Sequence, residues 1–202
     1  MVRKAEFEDS SFIEAAIELI AVGGPAAATM AAIARAAGAP TGSIYHRFSS
    51  RAALLAAVWH QCLAALAAKM LPPLNQGQSE AAVKALIDWA TKHPAMARVV
   101  LLHREDDLID GELPTELHKQ MNRLNQQLGA GLSALLSHRQ KTLSTSNLAL
   151  ANFAIFDGPI AALKPFLRGP KNVTPPNHTT ADNGTCRAAA LACARASLDL
   201  LE

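Results

Sequence analysis

The chain has 202 residues, half of them hydrophobic and 4% aromatic, with a formal net charge of +2 at pH 7. That length allows a sizeable core and two subdomains, while three cysteines (Cys62, Cys186, Cys193) with no CxxC pair argue against a disulfide framework or a zinc site. No run reaches the ~20 uninterrupted apolar residues of a membrane span, and Arg3-Lys4 lead into Glu6, Glu8 and Asp9 rather than into an apolar signal core, so the chain reads as cytoplasmic.

Alanine dominates and no alternating Val/Ile/Thr run is bounded by hairpin turns, so the expected fold is all-α. Residues 1–9 are charged and expected to fray. Ser10 or Ser11 caps a first helix to about Val22, with Phe12, Ile13, Ala16, Ile17 and Ile20 inward and Glu14 and Glu18 outward; Gly23-Gly24-Pro25 ends it. Thr29 is an N-cap residue for a second helix whose apolar face is Met30, Ile33, Ala34 and Ala37. Gly38 follows that helix, where a left-handed backbone is easiest for glycine. Pro40 suits the start of a third helix, on which Ile44, Tyr45 and Phe48 recur at helical spacing. Ala34, Gly38 and Ile44 supply a small crossing residue, a turn glycine and an apolar anchor, the requirements of a helix-turn-helix. From Leu19 through Ser79 there is no Asp or Glu, while Arg35, Arg47, Arg51 and Lys69 fall in that span, which fits a phosphate-facing surface.

The run AGAPTGSIYHRFSSRAALLAAV resembles the DNA-binding segment of TetR/AcrR-type transcriptional regulators. Tyr45-His46-Arg47-Phe48 fills that family's aromatic–aromatic–basic–aromatic string, with His46 in place of the second aromatic, Arg47 where histidine is common and Arg51 where lysine is common. The resemblance is strong over roughly residues 11–60 and architectural beyond. It implies an N-terminal three-helix DNA-binding domain (residues 1–51), a helical effector-binding and dimerisation domain (52–202), and a near-palindromic double-stranded operator. For DNA contact, Arg47 and Arg51 are the phosphate donors, Tyr45 and His46 add hydroxyl and imidazole donors, Thr29 offers its hydroxyl or helix-start N–H groups, Thr41 and Ser43 are the base-edge readers, and Gly42 allows close approach.

Ser49-Ser50 caps a long helix to about Met70, roughly 30 Å of it, which Pro72-Pro73 should stop. Helices follow at Ser79–His93, Ala95 to about Arg104 and Thr115–Leu136, with 104–114 as an acidic turn region and SHRQKTLSTS as a linker. Asn147–Leu167 is strongly apolar and should be kinked or interrupted at Gly158-Pro159. Residues 169–184 form a loop, and an alanine-rich helix spans about Thr185–Leu201. The last two helices are apolar on more than one side. The resemblance implies that they pair across a two-fold axis; their small residues suit close approach in a homodimer.

The resemblance also implies a pocket for a small-molecule effector. Trp59, Cys62, Trp89, Met96, Met121 and Phe153 are its candidate walls, and His93, His103 and Asn125 its polar anchors, although such stripes are more often plain core. Cys186 and Cys193, seven apart, share a helix face, the usual setting of small buried thiols rather than of a redox sensor. His103-Arg104-Glu105-Asp106-Asp107, with His118 beyond, reads as a solvated helix end rather than a metal site. With no GxSxG, HExxH, P-loop or dinucleotide fingerprint, no enzyme, cofactor or metal is expected. The reading is a ligand-responsive, DNA-binding repressor. The alternative is a helical ligand-binding or interaction protein whose DNA-binding head has lost function.

Overall fold

A computed structural model of the protein describes residues 8–168 and 183–202. Every regular element among them is helical: α1 (Asp9–Gly23), a 3-10 turn (Pro25–Ala27), α2 (Met30–Ala36), α3 (Thr41–Tyr45), α4 (Arg51–Asn75), α5 (Ser79–Lys92), α6 (Pro94–Leu102), α7 (Glu105–Leu108), α8 (Thr115–His138), α9 (Thr145–Asn152), a π turn (Phe153–Asp157), α10 (Gly158–Arg168) and α11 (Asn183–Leu198). The expected loop at 169–184 lies almost wholly outside the described residues. The chain forms two compact units. One holds residues up to Leu63 together with Ala95–Met121; the other holds Ala64–Pro94 and Asn122–Glu202.

In the first unit α1 packs on α2 and on the 3-10 turn, and α2 on α3. Phe12, Ile20, Ile33 and Ile44 are fully buried, and Phe12 meets Phe48 edge-to-face with ring centroids 6.4 Å apart. Glu14 and Glu18 are exposed, as the helical period requires. Hydroxyl caps start two of the helices: Ala32 N–H donates to Thr29 Oγ1 at 3.1 Å and Ala53 N–H to Ser50 Oγ at 3.0 Å.

The apolar helix after Ser50 overruns its expected stop. α4 continues through Pro72 and Pro73 to Asn75. A proline deletes its own N–H bond and crowds the carbonyl four residues back, but its φ is helical. Met70 and Leu74, one turn apart, are both fully buried, so packing holds the last turn against the loss of two backbone bonds. α4 and the Thr145–Arg168 run each have the length and hydropathy of a bilayer span; half of the apolar window in α4 is buried within the fold. The 104–114 region is also more ordered than its acidic turn reading, carrying the single-turn helix α7 over a buried Leu108.

In the second unit the interruption falls just before Gly158-Pro159. Pro159 cannot donate a backbone bond, and the chain widens into the π turn, with Gly158 N–H reaching back five residues to the Phe153 carbonyl. Gly158 is buried where α10 crosses α11, its α-carbon facing Cys193 Sγ. α11 packs on α10 and on α5, where Arg195 lies 3.0 Å from Glu80 Oε1 and Arg187 pairs with Asp88. The buried Asn147 donates to the carbonyls of Thr142 (2.9 Å) and Glu202 (2.8 Å), tying the start of α9 to the residues beyond α11.

Candidate nucleic-acid interface

The head is built around one small residue and one glycine. Ala34 is fully buried at the crossing of α2 with α3. Gly38 sits at φ +69°, a backbone that a side chain would strain, and Ala39 N–H closes the turn on the Ala34 carbonyl at 2.9 Å. α3 is only five residues long, so propensity alone could not hold it. Its anchor is Ile44, fully buried, whose carbonyl accepts from Phe48 N–H at 2.9 Å.

This anchoring decides what faces out. Thr41, Gly42, Tyr45, His46 and Arg47 are exposed, Tyr45 by 58%, and Ser43 is half-buried. No Cβ obstacle lies within 4 Å of Gly42. Thr29 is exposed at the start of α2, its hydroxyl already accepting from Ala32 N–H, so a phosphate there would meet the N–H groups of the first turn rather than a spare hydroxyl. Phe48, by contrast, is core. The structure thus leaves Thr41, Gly42 and Tyr45 of α3 exposed, with Ser43 half-buried among them.

Both arginines are engaged within the protein. Arg47 Nη1 lies 3.4 Å from Asp9 Oδ1 in the first turn of α1. Arg51 does more. Its Nε donates to the Ala28 carbonyl at 3.0 Å and one Nη to the Pro25 carbonyl at 2.7 Å, while the other Nη stands 3.5 Å from Asp110 Oδ1. One edge of the guanidinium therefore closes off the carbonyls of the 3-10 turn, and only the remaining amino group points to an exposed partner. No local pattern signals these pairings, because Asp110 is remote in sequence and the acids around it read as solvated. Replacing Arg51 with Ala removes the side-chain donor from the Ala28 carbonyl and leaves the Pro25 carbonyl only the Ala28 N–H, and should destabilise the head by about 1–3 kcal/mol; Lys, which lacks the fork, should recover little of it. Thermal melts of the two variants test this.

The residues and the geometry of this head agree with a known family. Residues 12–58 match the model of bacterial regulatory proteins of the tetR family. The head belongs to the TetR family. Along its whole length the chain shares the fold of TetR-type regulators. A TetR family transcription regulator from Shewanella sp. PV-4 is 18% identical, with 98% of each chain covered and a TM-score of 0.64. The fatty acid degradation regulator FadR of Bacillus halodurans is 17% identical over 96% of this chain and 100% of its own, with a TM-score of 0.66. FadR of Bacillus subtilis, solved in complex with stearoyl-CoA, is 15% identical over 96% and 97%, with a TM-score of 0.62. No curated protein sequence matches the chain significantly. The family match covers the head, and the likeness to these solved structures is one of fold.

The effector candidates divide between the two units. In the first, Trp59, Cys62 and Met121 are buried and Met96 and His103 are half-buried. Burial pushes the Cys62 thiol up to about 12, so it stays protonated and acts as a small apolar wall. Burial lowers the His103 pKa and so favours the neutral ring, while the Asp107 carboxylate pulls the other way. The buried Trp59 Nε1–H has no hydrogen-bond partner of good geometry, though it lies close enough to the Glu105 carboxylate to favour that group's charged form. In the second unit Trp89 is buried against the half-buried His93, with ring centroids 6.0 Å apart, whereas Asn125 and Phe153 are exposed. A cleft of about 110 Å³ in this unit is lined by none of them, but by Ser79, Arg139, Arg195 and neighbours. Among the described residues no group of three His, Cys, Asp or Glu side chains could hold a metal ion.

Glu105 provides a pH handle. Burial first, then the Asp106 carboxylate, raises its pKa, and Trp59 and His118 only partly oppose this. A carboxyl raised in the folded state favours folding below its unfolded pKa, about 4.3, and that contribution is lost as pH rises through the folded value. Glu105→Gln should therefore raise the melting temperature at pH 7, and the gain should vanish toward pH 4. Melts across that range check it.

Proposed function

We propose that the chain is a cytoplasmic, homodimeric transcriptional repressor that binds a near-palindromic duplex and releases it when a small molecule occupies its helical body. Residues 1–51 serve as the DNA-binding domain and 52–202 as the effector-binding and dimerisation domain. The observation that carries this reading is the exposure of Thr41, Gly42, Tyr45, His46 and Arg47 on a helix clamped from behind by Ile44. Thr41 and Ser43 read base edges, Arg47, Tyr45 and His46 grip backbone oxygens, and the N–H groups that follow Thr29 meet a phosphate. Arg51 offers a phosphate the one amino group that its carbonyl contacts leave over.

Dimerisation through α10 and α11 is supported by their small exposed residues, Ala161, Ala188, Ala189, Ala192 and Ala196, which admit close helix approach. A dimer sets two recognition helices roughly 34–36 Å apart, in successive major grooves. The effector acts by binding better to the arrangement of heads that does not fit the duplex. Its candidate walls are Trp59, Cys62, Met96, His103 and Met121 within one unit or, as a separate set, Trp89, His93, Asn125 and Phe153 within the other. Because FadR of Bacillus subtilis was solved with stearoyl-CoA, a long-chain acyl-CoA is the first ligand to test.

Selection of bound duplexes from a random pool tests the whole reading. Near-palindromic sequences should emerge, with affinity falling about a thousandfold between about 50 and 200 mM salt, and stearoyl-CoA or another metabolite should release them. Failure to select any duplex, with folding and dimerisation intact, would favour the helical ligand-binding protein with an inactive head.

A further inference from the structure

The two arginines of the head share a feature that the regulator reading does not need. Each carries one of the protein's own carboxylates on the side open to solvent. Asp9, in the first turn of α1, sits on Arg47, with the two side chains 56% and 36% exposed. Asp110, in the segment between α7 and α8, sits on the outer amino group of Arg51, with side chains 86% and 31% exposed. The rest of the Arg51 guanidinium is committed to the Pro25 and Ala28 carbonyls. Its position is therefore set by the fold, and only the partner of its outer amino group is exchangeable. A carboxylate and a phosphate diester present that group with the same chemistry, an anionic oxygen accepting a charge-assisted bond.

We propose that Asp9 and Asp110 are internal competitors of the DNA backbone, each occupying the arginine position that a phosphate takes when a duplex binds. This rests on the DNA-binding reading of the head. The consequence is graded affinity rather than an on–off lock, because exposed pairs of this kind are weak. Binding exchanges carboxylate for phosphate at four arginines of a dimer and leaves four carboxylates to regain counterions. Asp110 has a second role by position. It belongs to the 104–114 segment, where Leu108 is buried and Glu105 lies against Trp59. Anything that shifts that segment changes how strongly Arg51 is held.

The test uses the full-length protein and a labelled duplex selected by the wild type from a random pool. Asp110→Asn and Asp9→Asn are compared with Glu112→Gln, which removes the same charge from an exposed acid of the same segment. Each Asp variant should bind about three- to tenfold more tightly at low salt, and the double variant more tightly still. The log–log salt slope should steepen by up to about 0.9 for each arginine released. Glu112→Gln should change neither by more than about a factor of two. Equal tightening by Glu112→Gln would reduce the effect to overall charge and overturn the proposal, as would unchanged affinity and slope in both Asp variants while the wild type binds. If neither the wild type nor the variants bind any duplex, the regulator reading fails with it.

Discussion

The triple variant Thr41→Ala, Tyr45→Ala, Arg47→Ala is expected to lose duplex binding while melting close to the wild-type temperature. All three side chains are exposed, and exposed positions outside special geometry change stability by about 0.5 kcal/mol or less. Arg47 gives up its pair with Asp9, an exposed contact worth at most about 1 kcal/mol. Affinity is another matter. If each side chain contributes about 1 kcal/mol and a dimer uses both heads, the six losses sum to about 6 kcal/mol, or about four decades in the dissociation constant. Neighbouring contacts are not additive, so a loss of at least about a hundredfold is the safer expectation. Titration of the selected duplex by fluorescence anisotropy, beside circular dichroism melts, reads both quantities. Full affinity in the triple variant would mean that the surface around α3 is not where DNA binds. Arg51 is left out deliberately, since its loss mixes a missing phosphate contact with a weakened 3-10 turn.

The second large effect concerns Gly158. Alanine is the better helix former by about 1 kcal/mol, so on an open surface Gly158→Ala would stabilise. Here an added Cβ would stand 2.5 Å from Cys193 Sγ and 3.2 Å from the Phe153 carbonyl oxygen. α10 and α11 must part, or the π turn must reshape, at an overpacking cost of about 1–3 kcal/mol. The net expectation is a fall in melting temperature of several degrees, since about 1 kcal/mol corresponds to about 2–4 °C at this size. Removing the obstacle tests the cause: Cys193→Ala in the Gly158→Ala background should recover most of the loss, though Cys193→Ala alone gains nothing. If the double variant melts no higher than Gly158→Ala, the clash with Cys193 is not the reason for the glycine. The same pair bears on assembly. α10 and α11 are the proposed dimer surface, so a parted crossing should also weaken self-association in sedimentation.

The second unit carries a charge contact of its own. Glu80 is half-buried, and its bonds to Lys84 and then Arg195 lower its pKa. Its contribution is present above the unfolded pKa and lost as pH falls through the lowered one. Glu80→Gln should accordingly matter little, and only above pH about 4.

What the amino-acid order settled by itself is whatever depends on near neighbours. The all-helical class, the Thr29 and Ser50 caps, the left-handed turn at Gly38, the inward Ile44 and Phe48 and the outward face of α3 follow from spacing, from hydroxyl caps and from one glycine, and all are found. Only the tertiary structure decided the rest, because the deciding partners are far apart along the chain. The buried Met70 and Leu74 carry α4 past two prolines that local rules treat as a stop. The 3-10 turn and Asp110 take up an arginine whose sequence context names it a phosphate donor. Gly158 looks like a simple helix breaker until Cys193 is seen opposite it. Local propensity costs about 1–3 kcal/mol per offending residue, and burial of two large side chains is of the same size. Wherever the two compete, packing that no short window of sequence contains decides the outcome.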